Sequence, residues 1–114
     1  VKTLKIKLKK KSEAICNALD KYFGSSAEYK KPDGGIFVWV DVHKKVDTFR
    51  LYELALKDGV AINPGNEWSI NKSGRHKMRL CFGNPSIKEI DEGIKRLAII
   101  CRKEFGIPTK IANL

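Results

Sequence analysis

One arginine lies inside an apolar segment, where its charge needs a partner. Residues 78–82 read MRLCF, so that three apolar side chains alternate with Arg79 and Cys81. Successive side chains of a strand point to opposite faces, which places Arg79 and Cys81 together. An unpaired charge at an apolar site is costly, so Arg79 must reach water or an anion. Either it pairs with an acid on an exposed face, or it is a planar fork that binds a carboxylate through two hydrogen bonds, which lysine cannot do.

Other residues that could do chemistry lack the partners or the position that it would need. His43 and His76 have no Cys, Asp or Glu partner at ligand spacing, so no metal site is predicted. Gly34 and Gly35 precede a strand instead of opening a helix, which argues against a phosphate-binding loop. An odd number of cysteines, widely spaced in apolar segments, predicts buried free thiols in a reducing cytoplasm: Cys16, Cys81 and Cys101.

The positive charge of the chain is concentrated at one end. Of the net charge of +10, six lysines among the first eleven residues supply +6. Such a segment can contact phosphate, so a basic nucleic-acid-binding module is one hypothesis. A solvated helix face is favoured over it, because base readout usually employs Arg, Asn or Gln, and the chain has five scattered arginines and no glutamine. No apolar run approaches the about 20 residues of a membrane span, so a cytoplasmic protein without membrane contact is expected.

The elements that must position Arg79 begin with a helix and a strand. Apolar residues at helical spacing predict a helix over residues 2–23, although Leu4, Ile6 and Leu8 also alternate like a strand, with Ser12 as the cap of a shorter helix. A short extended stretch over 27–30 is followed by a turn at 32–35. In residues 36–42, one isoleucine and three valines alternate with Phe37, Trp39 and Asp41. This alternation predicts a strand buried on most of both faces.

A second helix is predicted from its cap. Asp47 is placed as the N-cap of a helix that ends near Lys57, with Val46 and Leu51 as a hydrophobic staple and Gly59 as the left-handed terminator. A short strand at 60–63 and a polar surface loop at 66–77 then lead to the strand at 78–82.

A third helix completes the chain. Ser86 and Glu89 form a capping box at its start, and Gly106 and Pro108 end it. Its apolar stripe is predicted to comprise Ile87, Ile90, Ile94, Leu97, Ala98, Cys101 and Phe105. With 114 residues the chain is too short to divide into two cores. The order of elements therefore predicts one α+β domain over 1–114, a small and mostly antiparallel sheet packed against helices as a two-layer sandwich.

Four segments together resemble a known family. Residues 32–39 (PDGGIFVW), 59–65 (GVAINPG), 78–82 (MRLCF) and 90–97 (IDEGIKRL) resemble, in order and spacing, the C-terminal small domain of class I/II aminotransferases. These are fold type I enzymes that use pyridoxal 5'-phosphate. The sequence of the first segment is most similar to the corresponding sequences in the branch of α-aminoadipate, kynurenine and aromatic aminotransferases.

The resemblance implies roles for three residues. Arg79 falls where the family keeps the arginine that binds the α-carboxylate of the substrate. Gly34 and Gly35 fall where the family's main chain passes close to the substrate, which the missing side chains permit. The implied reaction transfers an amino group between an amino acid and a 2-oxo acid.

The family's cofactor site has no counterpart in the chain. The Schiff-base lysine, the aspartate at the pyridine nitrogen and the phosphate-binding groups of the family belong to its large domain. The resemblance therefore implies that the chain alone holds no pyridoxal phosphate and is inactive, and that it works with its own large domain in a homodimer. In regulators that join a winged-helix DNA-binding module to an aminotransferase-like body, the same domain serves as an effector domain, which remains the alternative.

Overall fold

The computed structural model of the chain describes residues 2–30, 36–43, 45–57, 59, 62–64, 76–83 and 85–107. Within them the elements follow one another as α1 (Lys2–Tyr22), β1 (Ala27–Tyr29), β2 (Phe37–Val42), α2 (Thr48–Lys57), β3 (Asn63–Pro64), β4 (Lys77–Cys81) and α3 (Ile87–Phe105). A short 3₁₀ turn, Gly24–Ser26, joins α1 to β1. The order helix, strand, strand, helix, strand, strand, helix confirms the predicted α+β class.

The strands form one sheet in the order β1-β2-β4-β3, and each neighbouring pair is antiparallel. In the central pair, Val38 lies opposite Leu80 and Trp39 lies opposite Arg79. One face of β2 and β4 is buried against the helices through Val38, Val40, Val42, Met78 and Leu80. The other face, here called the open face, carries Phe37, Trp39, Arg79 and Cys81.

The helices form the second layer of the sandwich. α1 and α3 pack against each other and place their apolar stripes in one core with the buried face of the sheet. The stripe of α1 includes Ile15 and Leu19, and that of α3 runs from Ile90 to Cys101. This arrangement is what the 3.6-residue period of both segments predicts.

Local signals fix the ends of α2 and α3. Oδ1 of Asp47 accepts a hydrogen bond of 3.0 Å from the Phe49 N–H, as an N-cap does. Val46 and Leu51 are both buried, as a hydrophobic staple requires. Gly59, at φ +80, donates its N–H to the Leu56 carbonyl at 3.1 Å. The capping box of α3 and its left-handed Gly106 are also present.

The structure corrects three details of the prediction. Phe37 and Trp39 are 37% and 51% exposed, so β2 is buried on one face only, because none of the described helices covers the open face. Ile87 does not belong to the buried stripe of α3, because in the first turn of the helix it faces outward and is 48% exposed. Cys81 is half-buried on the open face, whereas Cys16 and Cys101 are buried as predicted.

α1 is continuous through Leu4, Ile6 and Leu8, so the alternative of a strand there is wrong.

Some predictions lie on residues outside the described ranges. β3 begins at Asn63, and of the predicted strand at 60–63 the residues Val60 and Ala61 fall outside the described part. The same holds for most of the predicted loop at 66–77.

Candidate functional site

Arg79 occupies the middle of the open face. It lies on β4 between Trp39 of β2 on one side and Asn63 of β3 on the other. Its side chain is half-buried, so it is neither enclosed in the core nor extended into solvent. The period of two along β4 explains this placement, since Met78 and Leu80 fill the core and turn Arg79 to the opposite side.

The guanidinium of Arg79 is stacked on aromatic rings. Its Cζ atom lies 4.1 Å from the centroid of the Phe37 ring and 5.9 Å from that of Trp39. Both rings are on β2, two positions apart, and so share the open face; we call this pair the aromatic platform. A guanidinium within about 6 Å of a ring centroid is attracted by the negative face of the ring. The platform therefore holds the side chain against the sheet.

Sequence reasoning singled out Arg79 but missed the platform. The alternation along residues 36–42 already places Phe37 and Trp39 on one face. The sequence does not, however, set the register that brings that face next to Arg79. The pairing of Trp39 with Arg79 and of Phe37 with Cys81 appears only in the sheet.

A neighbouring cross-strand pair carries opposite charges. Asp41 on β2 lies opposite Lys77 on β4, and Lys77 Nζ is 4.0 Å from Asp41 Oδ1. Both side chains are about half exposed, so this contact contributes little to stability. The two side chains nevertheless neutralise each other's charge at one end of the open face. Each lies two residues along its strand from Trp39 or Arg79.

The segment before β2 enters the sheet next to the end of β4. The Phe82 N–H donates to the Ile36 carbonyl at 2.8 Å, which extends the pairing beyond β2. A Cβ added at Gly83 would lie 3.1 Å from Ile36 Cγ2, so glycine suits this close approach. The Lys11 ammonium also donates to the Gly83 carbonyl at 3.1 Å. Gly34 and Gly35 themselves lie outside the described residues.

The described residues do not form a site for pyridoxal phosphate. A phosphate is commonly bound at a helix N-terminus, but those of α2 and α3 already carry the carboxylates of Asp47 and Glu89. The hydrogen bond from the Ser86 N–H lowers the pKa of Glu89, which keeps that carboxylate ionised. Those lysine side chains that are described lie at the surface, exposed or half-buried, and do not line an enclosed site.

Metal-ligand clusters and membrane-spanning helices are both absent from the described part of the chain. No group of three or more His, Cys, Asp or Glu side chains there is arranged to hold a metal ion. None of the described helices is both long and apolar enough to cross a membrane.

Comparison with known proteins assigns the fold to a family. The family model described as "Aminotransferase class I and II" matches residues 1–97. An uncharacterized aminotransferase of Saccharolobus solfataricus is 38% identical over 98 residues, which are 86% of this chain and 24% of that protein. The aromatic-amino-acid aminotransferase 1 of Thermococcus litoralis is 34% identical, over 85% of this chain and 23% of the relative.

A transcriptional regulator is among the relatives as well. An uncharacterized HTH-type regulator of Bacillus subtilis is 32% identical over 85% of this chain and 20% of its own length. This identity is somewhat lower than that to the two aminotransferases.

Solved structures share the fold. The α-aminoadipate aminotransferase of Thermus thermophilus, in complex with N-(5'-phosphopyridoxyl)-L-leucine, has a TM-score of 0.76 at 30% identity, over 85% of this chain and 25% of that one. The kynurenine aminotransferase of Pyrococcus horikoshii has a TM-score of 0.77 at 34% identity, over 86% and 24%. The chain spans about a quarter of the length of these relatives. On the family model and on these relatives together, the chain belongs to the class I and II aminotransferase family.

Proposed function

We propose that the chain is the small, C-terminal domain of a pyridoxal-phosphate-dependent aminotransferase, and that Arg79 binds the α-carboxylate of the amino acid and of the 2-oxo acid. The observation that carries the proposal is the position of Arg79: a guanidinium stacked on the aromatic platform in the middle of a sheet face that the described helices leave open. The family supplies the reaction, and the open face supplies the binding group.

The chemistry of the group suits a carboxylate. The planar guanidinium presents parallel N–H donors that match the two oxygens of a carboxylate. A charge-assisted hydrogen bond of this kind contributes about 1.5–3 kcal/mol. Both substrates of an amino-group transfer carry such a carboxylate, so one arginine serves both halves of the reaction by holding the substrate in one orientation.

The rest of the active site belongs, in this proposal, to the part of the protein that the relatives have in addition. They are about four times as long as the segment matched here. We place the pyridoxal phosphate site in that large domain, and expect the full-length protein to be a homodimer. Gly34 and Gly35, as residues without side chains, would let the main chain pass close to the substrate. The chain alone is then inactive.

Kinetics of the full-length protein that carries this chain test the role of Arg79. Loaded with pyridoxal phosphate and assayed with L-leucine, L-phenylalanine and L-2-aminoadipate against 2-oxoglutarate, it should transfer the amino group of at least one of them. Arg79→Ala should then raise the KM for both substrates at least tenfold, because both lose the same charge-assisted contact of more than about 1.4 kcal/mol. The absorbance of the bound cofactor should not change.

Arg50→Ala is the matched control. Arg50 lies on α2 and pairs with Glu53 and Glu104 at 3.7 and 3.4 Å, on the helical side of the domain. Its removal also deletes one arginine charge but should leave both KM values within about twofold, because exposed ion pairs contribute only about 0–1 kcal/mol. Equal KM values in Arg79→Ala and in the unmodified protein would exclude Arg79 from the site.

The second candidate is an effector domain of a transcriptional regulator, which the similarity to the Bacillus subtilis protein favours. In that case Arg79 binds the carboxylate of an amino acid without turnover. The two functions separate in one pair of assays. Amino-group transfer supports the enzyme, whereas sequence-specific DNA binding by the full-length protein in the absence of any transfer supports the regulator.

A further inference from the structure

The aromatic platform suggests how Arg79 is kept ready for a ligand. An arginine side chain loses much of its rotamer freedom when it is fixed. If that ordering occurs only on binding, it weakens the affinity for the carboxylate. The stack at 4.1 Å on Phe37, with Trp39 at 5.9 Å, restrains the guanidinium before a ligand arrives.

The rings and a carboxylate use different features of the guanidinium. A ring attracts its charge, whereas a carboxylate accepts hydrogen bonds from the N–H donors at the edge of its plane. The contact with the platform therefore limits the movement of the group without competing strongly for the donors that a carboxylate needs. Both rings belong to β2, and β2 is paired with β4 along five positions, so the register of the two strands places the platform next to Arg79.

The platform differs from an acidic partner in its effect on charge. Arg50 on α2 is held by the carboxylates of Glu53 and Glu104, which neutralise it. A phenyl or indole ring attracts a cation through its quadrupole and adds no negative charge. A ring therefore restrains a guanidinium without itself neutralising the charge.

We propose that Phe37 and Trp39 are positioning residues for Arg79, which preorganise its guanidinium for the substrate carboxylate. The proposal rests on the proposed function of Arg79. Phe37, the nearer ring, carries the larger share, and Trp39 the smaller. Neither ring needs to touch the reacting atoms.

The test compares Phe37→Leu, Phe37→Tyr and Trp39→Leu in the full-length protein. The substrate is whichever of L-leucine, L-phenylalanine and L-2-aminoadipate the unmodified protein turns over best. Phe37→Leu should raise the KM for both the amino acid and the 2-oxo acid about three- to tenfold, the range of a partly desolvated cation–π contact. The kcat should change less than the KM. Trp39→Leu should have the same effect at a smaller magnitude, and Phe37→Tyr should restore the KM to within about twofold.

Phe49→Leu is the matched control for the loss of a partly exposed ring. Phe49 is 47% exposed on α2, and Phe37 is 37% exposed on β2. Thermal unfolding of both variants separates a stability effect from a positioning effect, because the two should lower Tm by similar amounts while only Phe37→Leu raises the KM.

The outcomes of this test and of the Arg79 test are distinct. A strong effect of Arg79→Ala together with equal KM values for Phe37→Leu and Phe49→Leu would overturn the positioning role alone. A rise in KM for Phe37→Leu that Phe37→Tyr fails to reverse would overturn it as well, since a tyrosine ring supplies the same face. No effect of Arg79→Ala, or no turnover at all, would overturn the proposed function and this inference with it.

Discussion

The hydroxyl of Tyr22, the last residue of α1, donates a hydrogen bond of 2.8 Å to Oδ2 of Asp91 on α3. Oδ1 of the same carboxylate lies 3.8 Å from the ammonium of Lys21. The two helices are adjacent and both pack on the buried face of the sheet, so this contact adds a polar link to their apolar packing. The helical layer on the other side of the sheet from the open face thus contains a specific hydrogen bond between α1 and α3.

Replacing Tyr22 by phenylalanine should lower the free energy of unfolding by about 0.5–1.5 kcal/mol, the usual contribution of one intramolecular hydrogen bond. Urea denaturation of the 114-residue chain measures it. Tyr52→Phe is the control, because Tyr52 packs against the core as a partly buried aromatic residue of α2. A loss in Tyr22→Phe no larger than that in Tyr52→Phe would show that the link does not contribute.

Removing the cap of α3 should have a similar cost. The Ser86 hydroxyl accepts from the Glu89 N–H at 3.1 Å, and the Glu89 carboxylate accepts from the Ser86 N–H at 2.9 Å. Ser86→Ala should therefore destabilise the chain by about 1 kcal/mol. Ser25→Ala, at an exposed position of the 3₁₀ turn, is the matched control and should change the free energy of unfolding by less than about 0.5 kcal/mol. Equal denaturation midpoints for the two variants would contradict the role of the capping box.

One of the three tyrosines should ionise late. Burial, with a hydrogen bond from the Tyr29 hydroxyl to Asp20 at 2.9 Å, raises the pKa of Tyr29 from 10.0 to about 12. A pKa above the unfolded value means that the associated stabilisation is complete below about pH 10 and is lost as the pH rises toward 12. An ultraviolet titration of phenolate absorbance should show this late step, and Tyr29→Phe should remove it. A titration in which the late step persists in Tyr29→Phe would assign it to another tyrosine.

The 114-residue chain should not bind pyridoxal phosphate at a specific lysine. The described lysines lie at the surface, and the N-termini of α2 and α3 already hold carboxylates. After incubation with the cofactor and borohydride reduction, mass spectrometry should find at most scattered, substoichiometric labelling. A stoichiometric adduct at one lysine would place a cofactor site within the chain.

The fold was accessible from the sequence because its signals are local. The capping box at Ser86 and Glu89, the left-handed glycines at 59 and 106, and the period of the helices each act within a few residues. What escaped prediction depends on packing between distant segments. Burial of one face of β2 does not follow from its alternation, because Phe37 and Trp39 read as core residues until the layers are placed.

The candidate site was accessible in part for the same reason. Arg79 stands out because a charge interrupts an apolar strand, which is a local contrast. Its contact with Phe37, 42 positions earlier in the chain, depends on the strand register, which the sequence does not specify. Gly34 and Gly35 were inferred from the resemblance alone, and their role remains a prediction.

The most direct measurement of the central claim is the dissociation constant of the amino acid substrate for Arg79→Lys in the full-length protein, obtained by titrating the absorbance of the bound cofactor. Lysine keeps the charge but loses the planar fork, so the account predicts a dissociation constant at least tenfold higher than in the unmodified protein. The cofactor absorbance before the amino acid is added should be the same in both proteins. Arg50→Lys should leave the constant unchanged. A dissociation constant for Arg79→Lys within twofold of the original would contradict the claim that Arg79 clasps the substrate carboxylate.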